Sequence, residues 1–553
     1  MKTRIGLILC LGACCFACGE RHAGIDQAPD IVARVRLSNE LLFVDASRNE
    51  IDALDVMKEA PTPTIARFSI PSRPRLAVER KPGRSDGIVN SDGTLDAESS
   101  AGASQLQQLG RRAPNEILVL SDGKKDEGGD YTDPPTLSAV DSNHRVRRYE
   151  LSAPFRQLIL SEDARYALLW GQVAPSGEAS LLDDPNRVAV VDLDAAPSAE
   201  NPYERTLKSS GGYVANALIT PAMAAGSDTT TPRPMALFSF KDGLSIWDPA
   251  HPEHEDITVA VDTSVSAQAF SLKRLVADTK NGKLCMILDG EKVLRVLSFV
   301  PTTGASNDFT LSWNQLPLDV NGANDMVLYG ESSNRKVLVA SGSSLGIVDV
   351  NNSTVAHVNL ASPGDRLYTY LGAAPSDNDI KQRVVVWGVG QRVVSFVELT
   401  NLEKGGAQNI EQVSLGSSPL ANMIQLQPQL LLTVLQGGGT GTLDLSSRRP
   451  HPVSSSVDLG APLIESDARR VWVSGGQGDS RIGYFEPMAL RIGTLRLDAK
   501  VQELFLFEDT STRRVVVTHD SPIGEVSIVD ATTATRASSS VLSGFLVDGW
   551  VNR

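Results

Sequence analysis

The apolar residues of this chain recur with a strand period and almost never with a helical one. Short runs rich in Val, Ile, Leu and aromatic residues alternate with turns of Gly, Asp, Asn and Ser. That alternation is the mark of successive hairpins. One hairpin recurs with an acidic or polar turn and a basic exit. It reads Leu-Ile-Leu-Ser-Glu-Asp-Ala-Arg-Tyr-Ala-Leu-Leu-Trp at 158–170 and returns at 276–287, 328–339, 464–473 and 507–517. Asp, Asn and Ser suit such turns because their side chains bond the local backbone.

After each hairpin come a Gly-containing turn and a strand ending near Asp, at 187–192, 243–248, 346–350 and 526–530. A further strand often closes on Leu, at 353–360, 410–415, 454–459 and 490–497. With the run leading into the next hairpin, the unit has four strands. Corresponding strands begin near 165, 234, 283, 336, 383, 429, 470 and 514. A four-stranded unit repeating every 40–50 residues or so predicts an all-β fold, a β-propeller whose blades bury their faces on one another. Two further strand starts lie at 40–45 and 116–120. Because propellers usually have four to eight blades, the expectation is one ring of seven or eight over 31–553, with two smaller propellers as the alternative. Residues 72–115, rich in Pro, Arg, Ser, Gly and Asp, read as a loop or disordered insertion. The strand at 31–37 is expected to close the ring by sharing a blade with the last unit.

Some of these units resemble the YVTN/WD40-like propeller superfamily. Glu-Val-Ser-Ile-Val-Asp-Ala-Thr-Thr-Ala-Thr-Arg (525–536) and Gly-Ile-Val-Asp-Val-Asn-Asn-Ser-Thr-Val (346–355) follow its strand-Asp-turn-strand phrase. The chain departs from the family in having Trp-Asp once, at 247–248, and no regular Gly-His. No site residue is therefore carried over from the family.

The first residues have a different pattern. Met-Lys-Thr-Arg supplies two cations, and residues 5–17 are uncharged and largely apolar. A basic start followed by an apolar stretch too short to span a bilayer predicts an export signal over 1–17. Cysteines stand at 10, 14, 15 and 18. The segment resembles the lipobox of bacterial lipoproteins, in which a cysteine after small residues receives diacylglycerol. Cys15-Phe16-Ala17-Cys18 gives a normal signal length and a polar tether over 18–30, so Cys18 is the expected lipid-attachment residue. Leu11-Gly12-Ala13-Cys14 fits the motif better with a shorter signal, and Cys14 is the alternative. The resemblance implies export and a membrane anchor, on an outer membrane where the host has one.

Charge and chemistry change this picture little. A net charge of -14 argues against nucleic acid as a partner. Cys285, the single cysteine beyond Cys18, reads as a small core residue on a strand. Three stretches are candidates for chemistry. The acidic run at 122–133 (Asp122, Asp126, Glu127, Asp130, Asp133) lacks calcium-loop spacing and reads as a solvated hairpin. His251 and His254 stand on a proline-containing loop without a metal-ligand set. The glycine run at 436–442 has no following helix to hold a phosphate and reads as a turn. No catalytic residue, cofactor or metal ligand is assigned. The expected function is a lipid-anchored binding or scaffold module of the cell envelope for a protein, peptide or glycan. A propeller enzyme of the lactonase-like or quinone-dependent dehydrogenase-like kind is the alternative, and whether the chain is an enzyme stays open at this point.

Overall fold

The structure is a computed structural model that describes residues 29–552, apart from 59–64, 82–86, 90–94, 97–114, 172–183, 209–213, 225–231, 241–242, 261–271, 290, 303–308, 319–322, 331–334, 375–376, 400–409, 418, 420–422, 428, 436–438, 455–461, 476–477, 536–538 and 548–550. The expected signal peptide, the lipobox cysteines and most of the tether lie outside the described residues.

The second and third strands of most units carry apolar runs, such as Lys336–Ser341 and Ser344–Asp349, and are buried on both faces. Fourth strands alternate, as in Thr354–Asn359, where Val358 is buried and its neighbours face outward. A sheet with a buried middle and a polar outer edge is what a stack of blades requires. Apart from a two-stranded hairpin, Lys124–Lys125 with Tyr131–Asp133, each sheet has a core of four antiparallel strands in chain order. There are ten, at 31–69, 74–150, 157–206, 216–260, 272–317, 325–359, 366–414, 424–454, 463–496 and 501–543, here blades 1 to 10. The tenth gains a fifth strand, Val551–Asn552.

The ten blades form one closed ring. Apolar clusters fill every junction in order. Leu118, Leu137 and Phe155 join blade 2 to blade 3, and Cys285, Val296, Met326 and Val337 join blade 5 to blade 6. Leu41, Phe43 and Leu54 of blade 1 meet Phe507, Val516 and Phe545 at the end of the chain. First strands of neighbouring blades approach within 8 Å, Cα to Cα, as do Leu272–Asp278, Asp325–Tyr329 and Arg366–Ala374. They are the inner strands of the ring.

The expected number of blades, seven or eight, is corrected to ten, and the two-propeller alternative falls with the closed series of junctions. All ten strand starts read from the sequence are real and belong to second strands, among them Glu40–Asp45 and Glu116–Ser121. The expected loop over 72–115 is also shortened. Pro74–Glu79 is the inner strand of blade 2, pairing Leu76 with Leu120 and Val78 with Leu118. Proline at its first position costs no ladder bond, which lets a strand begin there. Within the same stretch, Gly87–Val89 and Leu95–Asp96 pair with each other. Nor do the chain ends share a sheet. Ile31–Leu37 pairs within its own blade, and blades 1 and 10 meet through side chains.

A repeated device locks many junctions. The Asp ending a third strand accepts backbone N–H groups of the following turn: Asp349 from Asn351 and Asn352, both at 3.0 Å, and Asp444 from Ser446 at 2.8 Å and Ser447 at 3.1 Å. The next residue is buried, and its carbonyl faces the preceding blade. There Leu193 accepts from Arg147 at 2.8 Å, Val350 from Lys283 at 3.3 Å, Leu445 from the Tyr370 hydroxyl at 3.4 Å, and Ala531 from Arg470. One turn thus serves both its own hairpin and its neighbour.

Candidate functional site

With four antiparallel strands per blade, every first strand begins on the same side of the ring, here the front. Second-to-third turns also lie there, while first-to-second and third-to-fourth turns lie on the back. This sorting separates the sequence candidates. The acidic hairpin and the glycine run belong to the front, and His251 and His254 to the back.

The front rim carries charges that are partnered across blades. Between blades 2 and 3, Asp122 binds Arg75 and lies 3.8 Å from Arg156. Burial lowers the Arg156 pKa, and Asp122 offsets part of that. At blades 5 and 6, the fully buried Arg274 sits 3.0 Å from Asp325, which also accepts the Leu367 N–H of blade 7 at 3.1 Å. Burial drives the Asp325 carboxyl above its ordinary range, against the opposing pull of Arg274 and Arg366. Lys273 reaches Asn324 at 2.6 Å. On the inner strand of blade 1, Arg34 is lowered by burial and supported by Glu503 and Asp520 of blade 10. Buried charges of this kind are tolerated only when paired.

His519 and Ser527 form a pair that the sequence reading missed. The His519 Nδ1 lies 3.0 Å from the Lys500 carbonyl, which only accepts, so this nitrogen bears the proton. Nε2 is then free to accept the Ser527 hydroxyl at 2.8 Å. The arrangement matches a general base beside a hydroxyl, yet His519 is 3% and Ser527 1% exposed. In this state it fastens the second strand of blade 10 to the third. Its only sequence signal was a His before a turn and a Ser after it.

The other candidates are occupied with local structure. Asp126 accepts the N–H groups of Gly128 at 2.9 Å and Asp130 at 3.0 Å, and Asp133 accepts that of Ser72 at 2.7 Å. Gly123 has φ of +74°, and a Cβ there would stand 2.4 Å from the Asp133 carbonyl, so glycine is required for this hairpin. His251 and His254 stack at 5.2 Å, with His251 Nδ1 3.1 Å from Asp248 and 2.7 Å from Arg233. Among the described residues no three His, Cys, Asp or Glu side chains converge as a metal site. Of the glycine run, 436–438 lie outside the described residues, and Gly439–Asp444 is a strand, which corrects the turn expected through 442. Gly441 lets Pro452 and His451 pass close by, where a Cβ would stand 2.5 Å from the His451 carbonyl. Cys285 is fully buried on a strand, and burial pushes its thiol up to about 12. No helix among the described residues is long and apolar enough to cross a membrane.

Large exposed apolar side chains are scattered on both sides. Val389 and Ile523 lie in front turns, and Met488 and Leu490 in a back turn. Single exposed residues of this sort do not make a patch. What the front offers is a broad rim assembled from ten blades, with charges paired across neighbouring blades.

No known protein family matches the chain, and no curated protein matches it. Among solved structures, it is similar to dihydro-heme d1 dehydrogenase NirN in complex with DHE, at 11% identity over 87% of this chain and 81% of that one, with a TM-score of 0.38. It is also similar to a eukaryotic initiation factor, at 10% identity over 90% of this chain and 92% of that one, with a TM-score of 0.41.

Proposed function

We propose that this chain is an exported lipoprotein, a divergent relative of the YVTN/WD40-like propellers, whose ring acts as a binding or scaffold module of the cell envelope. In this reading 1–17 is removed, Cys18 (or Cys14) is acylated, and the partner is a protein, peptide or glycan. The membrane is an outer membrane where the host has one.

The observation that carries the reading is the placement of Ile31, which begins the inner strand of blade 1 on the front. A tether over 18–30 spans at most roughly 45 Å when extended. The anchor would therefore hold the charged front rim and its loops within that distance of the bilayer. A rim made from many blades suits extended surfaces, for which loops on a rigid scaffold are the usual contact points.

Two measurements test it. Cys18→Ser should move the protein from the detergent phase to the aqueous phase on phase partitioning, and release by Cys14→Ser alone would transfer the anchor to Cys14. Retention of both variants in the detergent phase would sink the lipoprotein reading. Photo-crosslinking residues at Val389 or Ile523 on the front should trap discrete species in intact cells, and Met488 on the back should not. Adducts from neither side would remove the case for a binding module.

A further inference from the structure

The sheet of blade 5 differs from the other nine at its inner edge. Its first strand, Leu272–Asp278, pairs on one side with Lys283–Leu288 and on the other with Gly87–Val89, with Ile88 opposite Arg274 and Gly87 opposite Leu275. Leu95–Asp96 extends the same sheet by one more strand. These two segments come from the first-to-second connection of blade 2, three blades away. No other inner strand among the described residues is paired on both edges in this way.

We propose that the inner edge of blade 5 is a strand-accepting site for an extended acidic peptide, held in the free protein by the chain's own Gly87–Val89 segment. The proposal rests on the reading of the ring as a binding module and names its ligand class. Three features support it. An inner strand has an edge of unpaired N–H and C=O groups, which is a template for an added strand. The internal occupant engages that edge at two residues only, whereas the acceptor strand offers seven. A longer strand can therefore make more ladder bonds than the segment it replaces. Finally, the occupant itself gives the ligand class: the stretch 85–98 contains Asp86, Asp92, Asp96 and Glu98 with no Lys or Arg.

Internal attachment gives the occupant a high effective concentration. Exchange is thus expected to be weak in the native chain and strong once the occupant is removed. The probe is a fluorescein-labelled peptide with the sequence of 85–98, titrated by anisotropy. Its targets are the full chain and a variant in which 82–114 is replaced by a short Gly-Ser linker. The variant should bind at least about tenfold more tightly than the full chain. A peptide with proline in place of Ile88 should bind neither, because proline cannot donate to the ladder. Should the replacement fail to fold, Ile88→Pro in the full chain provides the same test, with increased peptide binding expected at unchanged melting. Equal binding by both chains, equal binding of the proline peptide, or no binding by a folded variant would each overturn the proposal. Front-face crosslinks persisting in that last case would leave the binding-module reading intact and reject the strand site alone.

Discussion

Blades 5 and 6 are joined by the chain itself, whereas blades 10 and 1 meet with no peptide link between them. The first junction is mostly apolar, built on Cys285, Val296, Met326, Val337 and Val348, with the buried Arg274–Asp325 pair at its front. The second also has an apolar centre, where the rings of Phe43 and Phe545 lie 4.9 Å apart. Around that centre, arginines donate across to backbone carbonyls. Arg36 reaches Leu506 and Arg48 reaches Leu546, both at 2.9 Å, and Arg67 reaches Phe545 at 3.0 Å. In the opposite direction Arg514 reaches Val56 at 2.5 Å and Lys58 at 3.0 Å. A connecting segment reduces the entropy lost when two blades dock. Charged donors reach carbonyls across linked junctions too, as Lys283 does to Val350, but at the unlinked seam four arginines do so and the ties run both ways.

The largest effects should come from emptying either junction. Phe545→Ala should cost about 3–5 kcal/mol, read as a lower denaturation midpoint. Arg274→Met should cost a similar 3–5 kcal/mol or so, because it leaves the buried Asp325 with only the smaller pull of Arg366. The two losses should differ in their pH dependence. Burial already holds the Asp325 pKa above the ordinary carboxylate range and loss of Arg274 raises it further, so the Arg274→Met deficit should shrink as pH falls through those raised values, while that of Phe545→Ala stays constant. If both deficits are flat with pH, the Arg274–Asp325 pair is not what distinguishes the junctions. Thiol labelling of Cys285 sharpens the contrast. In mild denaturant Phe545→Ala should open the closing seam without exposing the thiol at blades 5 and 6.

A smaller effect is expected from the arginine ties. Arg514→Ala should cost about 1.5–3 kcal/mol, the range for hydrogen bonds to a charged group. Arg147→Ala at the linked junction of blades 2 and 3 should cost less, since chain connection and the Tyr149 hydroxyl remain to hold that seam. Equal losses would mean that connectivity contributes nothing measurable.

The smallest effect concerns the turn aspartates that serve every kind of junction alike. Burial pushes the Asp444 carboxyl up, but hydrogen bonds from Ser446 and Ser447 outweigh it and leave the pKa depressed. A depressed carboxylate contributes stability above its unfolded pKa of about 4, and that contribution disappears as pH falls through the folded value. Asp444→Asn should therefore lower stability slightly at neutral pH and flatten the acid limb of the stability curve. An unchanged acid limb would remove these turns from the account.

The strand pattern was legible because buried middle strands repeat with little ambiguity. Every second strand, from Glu40–Asp45 to Arg513–His519, stands near a start read from apolar runs. The usual range of four to eight blades conflicts with the ten starts in the sequence, and the ring follows the starts. Pro74–Glu79 escaped notice because its apolar positions are few and its partner, Glu116–Ser121, lies beyond a long insertion. The site was far less legible. Asp122 with Arg156 and Arg274 with Asp325 are pairs between blades, and no local spacing announces them. His519 and Ser527 meet only once the register of their hairpin is known. The aspartates that cap turns were, by contrast, readable one by one, since each acts within a few residues of itself.

The non-covalent seam has a consequence for how the gene could be rearranged. Ile31 starts and Ser543 ends their strands on the front side of adjacent blades. A linker from the last strand, Val551–Asn552, which pairs beside Ser543, back to Ile31 would keep Phe545 in the seam and make the backbone a continuous circle, and new termini could then be cut between any other two blades. In such a circular permutant, the four arginines of the old seam would hold a linked junction, and a new cut between blades 5 and 6 would have the Lys283 tie and the Arg274–Asp325 pair in their place. The order of blades along the gene is thus one of ten interchangeable phases, and this chain is tuned to the phase it has.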